Sequence, residues 1–132
     1  MTRPHRDYDD IPGTYVFDGE RSRHGYALNM FCMSLNDAAN RSAFEAEPDG
    51  YLDGFALSDD QRAAVEARDW LGLLRLGGNI YYLFKLAAYD GVSVQDVCAQ
   101  TTGVTTEEFI KMMIDGGRPI DGNRAASDWE IA

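Results

Sequence analysis

Two histidines, His5 and His24, are the only imidazoles in a chain of 132 residues, and they limit the chemistry it can do alone. Nucleophilic hydrolysis needs a base within hydrogen-bond reach of the nucleophile, and metal catalysis needs His, Cys or carboxylate ligands that converge. His5 falls in a segment with no apolar period, where a solvated side chain is expected. His24 falls at the start of the first periodic stretch, where a surface or capping role is expected. Neither sits in an HExxH or HxH cluster, and an iron site of two His and one carboxylate would need both. Asp9-Asp10 and Asp59-Asp60 are adjacent pairs; neighbouring residues on a helix diverge, so these carboxylates read as a solvated face or as charge at a helix N-terminus. Cys32 and Cys98 lack CxxC spacing and read as small buried hydrophobes in a reduced, cytoplasmic protein. Gly77-Gly78 fits neither GxGxxG nor GxxxxGK[ST] and reads as helix punctuation. The residues therefore predict no catalytic group, no metal ligand and no bound cofactor.

The elements that carry these residues are read from period and punctuation. Residues 1–18 mix charge with Pro4, Pro12 and Gly13 and read as an extended arm, so Ile11, Tyr15 and Phe17 must dock on this domain or on another chain. From Gly19 to about Ala39, Tyr26, Met30 and Met33 with Ala27, Phe31 and Leu35 recur at helical spacing, which predicts the longest helix. Asn40 is placed to cap a second helix through Ala46, limited by Pro48, and Pro48-Asp49-Gly50 predicts a turn. Ser58 with Gln61 and Thr105 with Glu108 are capping boxes; Asn79 and Ser93 are single caps. The run Trp70 to Leu76 is interrupted by Gly72 and closed by Gly77-Gly78. Ile80 to Ala88 is apolar on nearly every side, so it is either buried all round or meets a partner. Gly103 and Gly116-Gly117 end the last two helices. Strand signals are short and unpaired. The prediction is all-α: a small orthogonal domain of about six to seven short helices over residues 19–118, with a loose tail over 119–132.

Twelve Lys and Arg stand against 22 Asp and Glu, a formal charge of −10. Such a chain lacks the basic stripe that neutralises phosphate backbones, and an anionic membrane surface would repel it. No stretch has the roughly 18 apolar residues of a membrane span. No nucleic acid and no membrane are expected as partners.

In chain order, Asp9-Asp10-Ile11-Pro12-Gly13-Thr14 with Val16-Phe17, Gly25-Tyr26 with Leu28-Asn29, Arg68-Asp69, Gly77-Gly78-Asn79-Ile80-Tyr81, Lys85-Leu86, Asp90-Gly91 and Met112-Met113-Ile114-Asp115-Gly116-Gly117-Arg118 together resemble the small alpha subunits of protocatechuate 4,5-dioxygenases. The resemblance implies a heteromeric extradiol dioxygenase that opens the ring of a catechol carboxylate with O₂. It also implies that Fe(II), its ligands and the catalytic base belong to a large beta subunit, whose cavity the small helical subunit covers as a lid. The stretch after Asp90-Gly91 matches the lid region, which makes Val92, Ser93 and Val94 the substrate-facing candidates. The family carries a larger aromatic where Val94 stands, implying room for a bulkier acid such as gallate or a 3-O-methylated relative; the alternative is that Val94 packs the next helix. The arm and the aromatic helix supply the partner-interface candidates Ile11, Tyr15, Phe17, Ile80, Tyr81 and Phe84, on their uncovered apolar content. Two other functions stay open: a stand-alone helical interaction module without oxygenase activity, and an independent metalloenzyme built on His5 and His24.

Overall fold

The computed structural model of the chain describes residues 4–13, 15–121 and 125. Among them are nine α-helices and no strand, which is the all-α class the periodicity predicts. Nine exceeds the six to seven expected, because two stretches divide differently from their sequence signals.

The predicted long helix is two: α1 (Gly19–His24) and α2 (Tyr26–Ser34) meet at Gly25, and a turn at 35–37 ends the second. Gly25 breaks the helix because it touches backbone, as described below. The next helix, α3 (Ala38–Ala46), is capped by Asp37, whose carboxylate accepts the Ala39 amide at 2.9 Å. Asn40 is inside that helix, its side-chain amide donating to the Ser34 carbonyl at 2.9 Å, so it ties α3 back to α2 and caps nothing. The predicted Pro48 turn is a helix, α4 (Pro48–Asp53), because proline at the first helical position loses only an amide that would be unpaired anyway.

From here the cap signals and the structure coincide. Ser58 and Gln61 form a reciprocal capping box on α5 (Asp59–Ala67), and Asp69 caps α6 (Trp70–Arg75), which tolerates Gly72 in its interior. Asn79 caps α7 (Ile80–Asp90), the longest helix described. Ser93 with Asp96 caps α8 (Val94–Thr102), and Thr105 with Glu108 caps α9 (Thr106–Ile114). Gly116 and Gly117 both take positive φ beyond it.

The core is one cluster contributed by α2 to α8: Leu28, Phe31, Cys32, Phe44, Leu52, Val65, Trp70, Leu73, Leu83, Leu86 and Val97 are all buried. Phe31 stands edge-on to Phe44, Tyr51 and Phe55 at centroid distances of 5.2, 6.1 and 5.6 Å. Burial pushes the Cys32 thiol up to about 12, so it is protonated at neutral pH and serves as packing.

The arm, expected to be extended, contains a 3-10 turn, Asp7–Asp10. It folds back on α1: the Tyr8 hydroxyl donates to Asp18, and Arg6 pairs with Glu20 at 2.9 Å. Of the predicted loose tail, residues 122–124 and 126–132 lie outside the described residues, while Ala125 is buried.

Candidate functional site

The geometry begins at a knot of buried polar groups. A Cβ on Gly25 would stand 1.9 Å from the carbonyl oxygen of Gly77, and one on Gly77 would stand 2.6 Å from the amide nitrogen of Gly25. Only glycines allow two backbones so close. Buried Asn29 locks the contact from below: its side-chain amide donates to Gly77 O at 3.0 Å, and its oxygen accepts the Asn79 amide at 2.9 Å. Gln61, already half of a capping box, also donates to the carbonyls of His24 and Leu76 at 3.2 and 3.0 Å. Gly25, Asn29, Gly77 and Asn79, scattered motif pieces in the sequence, thus form one structural unit that fixes where α7 starts.

On the solvent side of that start lies a groove of about 170 Å³ lined by Tyr15, Phe17, Arg21, Leu74, Asn79, Ile80 and Tyr81, with Gly78. Four of the six interface candidates, Tyr15, Phe17, Ile80 and Tyr81, are therefore brought together here. Tyr81 is 73% exposed beside it. Arg21 is buried with its guanidinium 5.1 Å from the centre of the Tyr15 ring, which attaches the arm to α1. The other two candidates lie elsewhere: Ile11 is exposed in the arm outside the groove, and Phe84 packs partly buried against the core.

The three lid candidates divide by what their side chains already do. Val92 packs against the core cluster. The Ser93 hydroxyl accepts the Asp96 amide at 3.0 Å, so it is occupied as the α8 cap. Val94, at the first position of α8, is 47% exposed and alone among the three presents an uncommitted side chain. Asp96 supports this corner, since Thr106 of α9 donates to it at 2.7 Å and Ser93 completes the box; those hydrogen bonds hold its carboxyl below the usual range.

A second, larger cleft of about 920 Å³ lies between α1, α5 and α6, lined by Arg23 and His24 of α1, Ala63, Ala64 and Ala67 of α5, and Arg75 of α6. Sequence reading gave it no signal, because its walls come from three helices and no one of them carries a motif. His24 is exposed, as expected, and borders this cleft.

No set of three or more His, Cys, Asp or Glu side chains that could hold a metal gathers among the described residues. His5 stands 3.4 Å from Asp10 and 4.0 Å from Asp9, and that Asp9 carboxylate already accepts the Arg6 amide at 2.7 Å. Among the described residues, these donors do not form a set that would fit the iron the family resemblance implies. No described helix is long and apolar enough to cross a membrane.

Residues 28–114 match the family model described as aromatic-ring-opening dioxygenase LigAB, LigA subunit, and the chain belongs to that family. It is also 35% identical, over 103 residues and 78% of its length, to a gallate dioxygenase of Pseudomonas putida. The match spans only 30% of that relative's own length.

Proposed function

We propose that this LigA-type chain is the accessory subunit of a heteromeric extradiol dioxygenase, covering the active-site mouth of a large, iron-bearing subunit that opens a catechol carboxylate with O₂. The observation that carries the reading is the partial match to gallate dioxygenase: this chain corresponds to 30% of it, and the remainder is where a ring-opening centre would have to reside. The family model, which describes a LigA subunit of LigAB, supports a separate large chain as the bearer of that remainder. Fe(II), its ligands and the catalytic base belong to that chain.

The contribution of this subunit is positional. An apolar side chain at a cavity mouth excludes water, which strengthens electrostatic interactions inside and protects reactive species from hydrolysis and stray protons. Val94 has the exposure for that role, while Val92 and Ser93 hold it in place. The modest volume of Val94 and the likeness to a gallate dioxygenase support a triphenol or O-methylated catechol acid as substrate, with protocatechuate as the smaller alternative. The groove at Tyr81 is the docking surface for the large subunit, and the assembly works in the cytoplasm.

The test is oxygen uptake with protocatechuate, gallate and 3-O-methylgallate in the presence of Fe(II). This chain, a candidate large extradiol subunit, and the two mixed are assayed side by side. Activity that requires the mixture, or rises strongly with it, is the expected result. Equal rates for the large subunit alone and for the mixture would move the chain to the interaction-module reading.

A further inference from the structure

Arg68 closes α5 in a backbone state that side chains avoid. Its φ of 52° and ψ of 44° are left-handed, and it is the only non-glycine with positive φ among the described residues. Glycine is the residue this cap position favours, because a Cβ there crowds the following carbonyl. What the arginine does with its side chain accounts for its presence. Nε donates to Asp90 Oδ2 at 2.6 Å and Nη2 to Asp90 Oδ1 at 3.1 Å, a two-pronged pair. Nη1 donates to the Val65 carbonyl at 2.7 Å, and the guanidinium lies 5.8 Å from the centre of the Phe44 ring. The fork is therefore held from behind and cannot swing away from Asp90 without losing both contacts.

Asp90 is the last residue of α7 and adjoins the lid segment. Gly91 then takes φ 74°, and the Val92 amide returns to the Ala87 carbonyl at 2.9 Å, so the chain reverses within two residues of the ion pair. Downstream, Asp96 is tied to α9 through Thr106. The segment 91–94 is thus clamped on both flanks by carboxylates, one reaching α5 and the other α9.

We propose that Arg68 is a positioning residue for ring opening: through Asp90 it fixes where Val94 stands over the partner's cavity, and so sets how tightly the catechol acid is held. The proposal rests on the lid reading above. It is tested in the full chain with Arg68→Gly, Arg68→Lys and Asp90→Asn, each measured in two ways. Glycine suits the left-handed backbone at 68, so the first variant keeps the α5 cap while losing the fork; Asp90→Asn leaves Arg68 itself intact.

In the chain alone, hydrogen exchange at the Val92 and Ser93 amides should quicken roughly fivefold in Arg68→Gly and Asp90→Asn, the scale of one partly exposed ion pair, and less in Arg68→Lys. In the assembled enzyme, KM for the catechol carboxylate should rise by up to about tenfold, with kcat changed by less than about twofold. Unchanged exchange in both glycine and asparagine variants overturns the clamp. Faster exchange with an unchanged KM overturns the positioning role and places the fault in the lid reading. A wild-type mixture with no oxygen uptake, measured beforehand, marks failure of the accessory-subunit reading itself and is distinguishable from either.

Discussion

The loop from Gly77 to Asn79 has two sides, and they are built in opposite ways. Its inner side is locked: Gly77 meets Gly25 backbone to backbone, and Asn29 satisfies both Gly77 O and the Asn79 amide. Its outer side is open: Gly78 and Asn79 line the groove whose rim is the exposed ring of Tyr81. Asn79 belongs to both, since its side chain accepts the Tyr81 amide at 2.9 Å and caps α7. The glycines and amides of this motif therefore act from underneath. They fix the start of α7 and so present Tyr81, an aromatic residue that is largely exposed.

The largest loss of stability is expected on the inner side. Gly25→Ala places a methyl 1.9 Å from a carbonyl that is itself pinned, and neither backbone can yield without releasing Asn29. Overpacking against fixed backbone should cost at least about 3 kcal/mol, read as the shift in urea midpoint. Gly91→Ala is the control: its φ is 74°, but nothing lies within 4 Å of the added Cβ, so it should cost only about 1 kcal/mol from backbone strain. Equal midpoints for the two variants would mean that the close approach at Gly25 contributes nothing.

The outer side is probed by Tyr81→Asp. The side chain is 73% exposed, so the variant should keep its helical circular dichroism and a stability within about 0.5 kcal/mol of the parent. If the groove docks the large subunit, a charge on its aromatic rim should weaken assembly by about 2 kcal/mol or more, roughly thirtyfold in Kd, seen by gel filtration and titration calorimetry. An undiminished complex would remove the groove from the interface and leave the knot without a presenting role.

Legibility in the sequence follows how local each cause is. The caps at Ser58, Asn79, Ser93 and Thr105 depend on side chains three residues or fewer away, and sequence reading found all four. The break at Gly25 depends on Gly77, far along the chain, and a lone glycine in a periodic run carries no mark of such a contact. Asp37 and Asn40 are both of types that cap helices, and what decides between them is the Ser34 carbonyl that claims the Asn40 side chain. Pro48 reads equally as a turn or a first helical residue. For the site, uncovered apolar character could be read from composition, whereas the meeting of Tyr15 and Phe17 with Ile80 and Tyr81 required the arm to fold back. Ser93 carried two sequence assignments, cap and substrate contact, and its one hydroxyl is taken by the first. Arg68 had no local signal at all, because a left-handed arginine makes sense only once Asp90 is beside it.

A smaller change is expected at the Asp96 corner, where one carboxylate ties the start of α8 to α9. Hydrogen bonds from the Thr106 hydroxyl and then from Ser93 favour the ionised carboxylate, so its folded pKa lies below the ordinary Asp value near 3.9. The unfolded chain therefore binds this proton first as pH falls. The stabilisation is present in full above the ordinary carboxylate range and is lost as pH drops through the depressed folded value. Asp96→Asn removes the charge while keeping the shape, so wild type should be slightly the more stable at pH 6, and the gap should close in strong acid. Urea midpoints for both proteins at pH 6 and pH 3 read this directly, and a gap that stays constant would assign the corner to packing. The effect is small because the group is solvated, yet it falls where α8 begins. Protonation loosens the tether to α9 next to Val94, so the protection factor of the Val97 amide, which donates to the Ser93 carbonyl, should fall in acid while that of the buried knot at Asn79 is kept.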